Sequence, residues 1–245
     1  MKACIRLSLV VILFAVPASP LTAQSNYAIE FDGTDDFVKI LVDPQYYGAP
    51  GFTWEMWFQM RSIPVDWSVL LCFVDGASME DLALGFGFRS TGQNLAFEID
   101  GAGMPMSPLR YQPTGGWQLD TWYHVAAVRD FTADSVKMYI NGALAAEAAF
   151  TGLPITRSIC TESGIGYGLQ DCNHLTWYFH GAIDDVRIWN RARYPYEIQR
   201  DMYALLAGSE PGLRAYWPFE EGSGLVTTDR TAGINHGTLS NGAQW

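Results

Sequence analysis

Between residues 52 and 60, apolar and polar side chains alternate so strictly that the segment can bury one face only as a β-strand. Phe52, Trp54, Met56, Phe58 and Met60 fall on one side, and Thr53, Glu55, Trp57 and Gln59 on the other. Successive side chains of an extended chain point to opposite faces, so a period of two predicts a half-buried strand. The same split recurs in Val136-Lys137-Met138-Tyr139-Ile140-Asn141, and Asn141-Gly142 then supplies a hairpin turn that tolerates positive φ. Further strands are predicted at 28–31, 37–42, 68–74, 83–89, 95–99, 123–129 and 177–189, with Gly and Pro punctuating between them. Only 196–206 reads as a helix, after Pro195 and before Gly208. About ten strands on short links imply an all-β fold: a two-sheet antiparallel jelly-roll sandwich with one short helix near the C-terminus.

Residues 1–23 have the three parts of a secretory signal. Lys2 and Arg6 supply positive charge, 7–16 an apolar run, and Leu21-Thr22-Ala23 a small-residue cleavage site, placed after Ala23. The run is half the roughly twenty residues a membrane span needs, so export is predicted and membrane insertion is not. Residues 24–245 are then one sandwich domain. The first 23 residues hold two bases and no acid, so the remainder carries −13 against −11 for the whole chain. An acidic surface repels phosphate backbones, which excludes nucleic acid as partner and leaves calcium, glycans or extracellular protein. Cys160 and Cys172 are predicted to form a disulfide in an oxidising compartment, closing a loop worth about 2–3 kcal/mol. Cys72 lies in an apolar run and is predicted to be a buried thiol.

Three stretches resemble one family. Phe31-Asp32-Gly33-Thr34-Asp35-Asp36-Phe37-Val38 is similar to the opening block of laminin-G-like jelly rolls in the concanavalin A-like superfamily. Trp122-Tyr123-His124-Val125-Ala126, with 136–142 after it, resembles the central block, and 181–191 (Gly-Ala-Ile-Asp-Asp-Val-Arg-Ile-Trp-Asn-Arg) the closing one. The match covers roughly residues 26–206. The tail, 207–245, is similar to a segment that often precedes the opening block, so it is read as closing the same sandwich in permuted order. A truncated second repeat is the alternative.

Asp184 is the most informative polar residue. Strict alternation would put it inward with Val186 and Ile188, where a carboxylate needs a partner. A calcium ion held by Asp32, Gly33, Asp35 and Asp184 would provide one, since oxygen-only ligands suit that ion. The resemblance implies the same, because many family members hold a structural calcium near this turn. Trp57, Trp67, Trp117 and Trp177 are the candidates for stacking a sugar ring. A glucanase would need a carboxylate triplet, and Glu98-Ile99-Asp100-Gly101-Ala102-Gly103 lacks the third. The expectation is a secreted, non-catalytic module that binds carbohydrate or another extracellular ligand. A protein-recognising adhesion or surface-assembly module is the alternative, and a glycoside hydrolase the minor one.

Overall fold

The computed structural model describes residues 27–41, 50–64, 67–75, 82–89, 94–100, 109–151, 163–171, 174–233 and 235–245. Its first strands are β1 (Ile29–Asp32), β2 (Phe37–Ile40) and β3 (Gly51–Met60). A meander follows, of β4 (Ser68–Asp75), β5 (Leu82–Arg89), β6 (Asn94–Asp100) and β7 (Leu109–Tyr111). The next meander is β8 (Trp122–Asp130), β9 (Ser135–Ile140) and β10 (Ala143–Ala149). After it come β11 (Ser163–Ile165), β12 (Tyr167–Asp171), β13 (His174–Tyr178) and β14 (His180–Trp189). The helix α1 (Pro195–Asp201) precedes β15 (Leu213–Trp217), β16 (Val226–Thr227) and β17 (Gly237–Ser240).

These strands make two large antiparallel sheets. The first has the order β1-β14-β3-β8-β9-β10, with β15 also on β14; the second runs β16-β17-β2-β11-β4-β5-β6-β7. The all-β sandwich read from alternation is the fold observed. The even-numbered residues of β3 are fully buried between the sheets. Trp54 bridges them, with its ring 4.9 Å from Phe73 on β4 and 5.8 Å from Phe97 on β6. Offset and edge-on aromatic pairs of this kind add to the burial of apolar area that drives folding.

The tail adds β15 to the first sheet, through Val186↔Trp217, and β17 to the second, through Leu239↔Val38. It therefore extends both sheets, and its Glu220 lies near Asp184 of the first sheet. The predicted strand at 177–189 is two strands. It breaks at Phe179, whose N–H donates to Gly166. The first piece belongs to the β12–β13 hairpin, which packs on the outer side of β4 around Val69, Cys72 and Tyr167. Cys72 is buried there, as its apolar neighbours imply. Cys160 and Cys172, the predicted disulfide, lie outside the described residues, as do residues 1–23. Among the described residues no helix is long and apolar enough to cross a membrane.

The helix stops at Asp201, short of the expected 206. Side chains of the first sheet take the carbonyls that would have continued it. Arg187 Nη1 donates to Asp201 O at 2.8 Å, Trp57 Nε1 to Met202 O at 2.8 Å, and Arg187 Nη2 to Ala204 O at 2.7 Å. A seven-residue helix is too short to hold itself, so its position depends on what lies beneath. There, on the outer face of β3 and β14, Glu55 and Arg187 are almost completely buried, and Arg193 and Asp201 close over them. Arg193 Nη1 meets Glu55 Oε1 at 2.7 Å, its Nη2 pairs with Asp201, and its guanidinium lies 4.0 Å from the Trp189 ring centroid. Arg187 pairs with Asp185. Burial beside Arg187 and Arg193 lowers the pKa of His124 to about 3, so this imidazole is neutral.

Removing one partner of a buried ion pair strands the other charge in low dielectric. Arg193→Met should therefore destabilise the fold by about 3–5 kcal/mol, and adding Glu55→Leu to it should restore a large part of that loss. Urea denaturation of the two variants measures this.

Candidate functional site

The acidic turn joins β1 of the first sheet to β2 of the second, so it spans the sandwich at one end. Gly33 has φ +77°, and a Cβ there would come within 2.7 Å of His180 Cβ, so both conformation and space call for glycine. Asp32 Oδ1 accepts the Thr34 N–H at 2.7 Å, and Asp36 Oδ2 accepts the Asp32 N–H at 2.9 Å. Carboxylate oxygens of Asp32, Asp35 and Asp36 lie within 4.8 Å of one another. Asp36 is 3% exposed, and its Oδ1 is buried with no hydrogen-bond partner. Burial, helped by the charges of Asp32 and Asp35, raises its pKa. Asp36 is the member of this group that sequence reasoning missed. Its signal was its place directly before the half-buried Phe37 and buried Val38, which turns its side chain toward the interior.

Asp184 is elsewhere. Asp32 pairs with His180, four residues along β14 from Asp184, a separation of roughly 13 Å at the usual rise of a strand. Nor does it face inward with Val186. Asp184 lies opposite Trp57, and Arg187 opposite Glu55, so β14 carries one extra residue in between. Asp185 takes φ +58° at that bulge. Strict alternation breaks there, which returns Val186 and Ile188 to the core and leaves Asp184 on the face of Trp57. Its Oδ1 is buried without a partner. Burial, with Asp185 and Glu220 nearby, raises its pKa to about 8. Asp184 thus holds its proton to higher pH than a free carboxyl does, and it lies too far along β14 to be a ligand of the turn.

The four tryptophans divide. Trp117 is 5% exposed and packs edge-on against Phe88 and Tyr123, at 5.6 and 4.9 Å, so it belongs to the core. Trp57 is pinned under the segment after α1 by its bond to Met202 O and by Tyr203, 5.3 Å away. Trp67 and Trp177, both half-buried, stack on each other with centroids 5.0 Å apart and planes 25° from parallel. They sit where the β12–β13 hairpin meets β4. Tyr167 extends this aromatic ridge to Phe37, 4.6 Å away. Its ring lies so flat on Gly164 that a Cβ there would come within 1.5 Å of it. On β6, Glu98 Oε1 meets Arg110 at 3.3 Å.

The unfolded chain ionises Asp184 near pH 4 and the folded chain near pH 8, so between these values the folded state binds more protons. Stability conferred by the protonated acid is then lost as pH rises through that window. The melting temperature should fall from pH 5 to pH 8, and Asp184→Asn should flatten the slope; calorimetry across that range tests it.

A family model described as the concanavalin A-like lectin/glucanases superfamily, of laminin-G type, matches residues 32–199. No curated protein matches the sequence. Among solved structures, a Bacteroides ovatus protein provisionally classed as carbohydrate-binding aligns with a TM-score of 0.63 at 19% identity. The alignment covers 89% of this chain but only 59% of that one. The Ruminococcus gnavus IT-sialidase CBM40 bound to α2,3-sialyllactose gives 0.56 at 15% identity, covering 72% of this chain and 98% of its own. The heptameric SAP-like pentraxin of Limulus polyphemus gives 0.51 at 14%, covering 70% and 79%. At such identities the likeness is one of fold. The family match spans more than half the sequence, running from the acidic turn through β14 into α1: the chain belongs to the laminin-G-like family of the concanavalin A-like lectin/glucanase superfamily.

Proposed function

We propose that the chain is an exported, non-catalytic carbohydrate-binding module whose ligand rests on the Trp67–Trp177 pair. The observation that carries this reading is the stacking of two half-buried indoles on the outer face of the second sheet. A sugar ring offers an apolar C–H face, and an aromatic ring held rigidly at a surface takes it with little loss of entropy. The binding modules among the structural relatives favour the same reading, and one of them is bound to sialyllactose. The strong negative charge of this chain points to neutral rather than sialylated glycans. Glu98 is engaged by Arg110, and the strand that carries it holds no third carboxylate, which supports a role without catalysis.

Calcium is the second part of the proposal. Asp32, Asp35 and Asp36 would supply carboxylates and Gly33 a carbonyl, with the orphaned Asp36 Oδ1 as the group most in need of a cation. The ion would fix the crossing between the sheets and take no part in chemistry. A Cys160–Cys172 disulfide would tie the β12–β13 turn, where Cys172 lies in sequence, to the segment before β11.

On a glycan array, the wild-type chain should bind neutral oligosaccharides in preference to sialylated ones. Trp177→Ala should lower that signal at least tenfold with an unchanged melting temperature. An array with no hits would sink the reading and favour a protein ligand. Excess chelator should lower the melting temperature of the wild type, and Asp36→Asn should remove that effect; equal curves with and without chelator would exclude the ion.

A further inference from the structure

The opposite face of the sandwich carries a cleft of about 460 Å³ where the chain leaves β14 for α1. Val128 of β8 and Tyr139 of β9 line it, together with Asp130, Thr132, Lys137 and Tyr194. Tyr139 is 2% exposed, yet its hydroxyl has no hydrogen-bond partner among the described residues. The hydroxyl opens on the cleft, where water satisfies it until a ligand hydroxyl takes that place, at a net gain of about 1 kcal/mol. Asp130 commits one oxygen to the N–H groups of Thr132 and Ala133, at 2.8 and 3.0 Å, and keeps the other without a partner among the described residues. The rings of Tyr194 and Tyr196 lie 5.8 Å apart and 9° from parallel, and are 62% and 63% exposed. They offer a flat apolar surface at the rim of the cleft.

We propose that this cleft is a second saccharide site, taking one neutral pyranose whose C–H face rests on Tyr194 and whose hydroxyls reach Tyr139 and Asp130. The lining supplies what a pyranose requires: a flat apolar ring, a phenol hydroxyl that can donate or accept, and an open carboxylate acceptor. An anionic ligand is disfavoured, because Asp130 faces the cleft and its three cations are already paired: Lys137 with Glu147 at 3.2 Å, Arg191 with Glu197 at 2.7 Å and Arg193 with Glu55 at 2.7 Å. The cleft and the Trp67–Trp177 pair lie on opposite sheets, so neither site depends on the other. Two sites on opposite faces would let a single chain bridge two glycans.

The test uses Trp177→Ala, in which the tryptophan site is removed, and four neutral probes: methyl β-glucoside, methyl β-galactoside, methyl α-mannoside and methyl N-acetyl-β-glucosaminide. Ligand-observed NMR titration should give saturation transfer to at least one probe, with a Kd of about 1–10 mM. Adding Tyr139→Phe, which keeps the ring and its packing, should weaken binding about fivefold, the worth of one hydrogen bond. Adding Tyr194→Ala should weaken it at least tenfold, and a melting curve of each variant confirms that the fold is kept. No transfer to any of the four probes overturns the proposal, and so does transfer that both substitutions leave unchanged. Loss of array binding by Trp177→Ala bears only on the tryptophan pair, so the two readings fail separately.

Discussion

The ion network of Glu55, Arg193, Asp201 and Arg187 is the constraint on which the first sheet's outer surface depends. Four charges withdrawn from water are expensive, and their mutual attraction offsets that expense only with good geometry and full hydrogen bonding. Arg193 goes part of the way by touching three kinds of partner, Glu55, Asp201 and the Trp189 ring, while its Nε, Arg187 Nε and Glu55 Oε2 stay buried without a hydrogen bond. It also gives its backbone N–H to Thr53 Oγ1, at 3.0 Å. A two-turn helix is held in place this way, and with it the bend that sets Tyr194 over β8 and β9. Apolar packing alone would leave such a short helix free to slide, because it has no direction. Charges matched in pairs do.

The acidic turn follows a different logic. It is a crossing between sheets, where the chain must reverse its exposure within four residues. Asp32 and Asp36 satisfy backbone N–H groups inside the turn itself, and Asn241 Nδ2 donates to Asp35 O at 3.1 Å, which ties the turn to the C-terminal strands. The price is a concentration of carboxylates, one of them buried.

Much of this was legible in the sequence, and the exceptions have physical causes. In β3 and β9 apolar and polar residues alternate over six or more positions, and the period shows through. β10 is almost all Ala, so both of its faces look alike. β11, β15, β16 and β17 are only two to five residues long, too short for a period to register. The helix was extended too far because its end is decided by Arg187 and Trp57, which lie outside it in sequence. Asp184 was assigned to the wrong face because a bulge adds one residue without any change in composition. Trp117, a stacking candidate by sequence, lies in the loop between β7 and β8, and only its packing against Phe88 and Tyr123 reveals it as core. The tryptophan pair could be named in advance as candidates, but their stacking on each other is tertiary. The cleft beside Tyr139 was not foreseen, since its parts come from β8, β9 and the approach to α1.

One consequence arises from the shared edge of β14. There β1 and β15 lie along the same edge, and on its other side β1 meets the last residues, where Glu30 and Gln244 exchange N–H···O bonds of 2.8 and 3.2 Å. The two ends of the described chain are therefore neighbours, joined by a single rung. Tension applied between them would open that rung first, before loading either sheet. A module wired in this way can sit within a strand of linked domains, or accept a new pair of ends elsewhere on its surface, without its sheets being drawn apart.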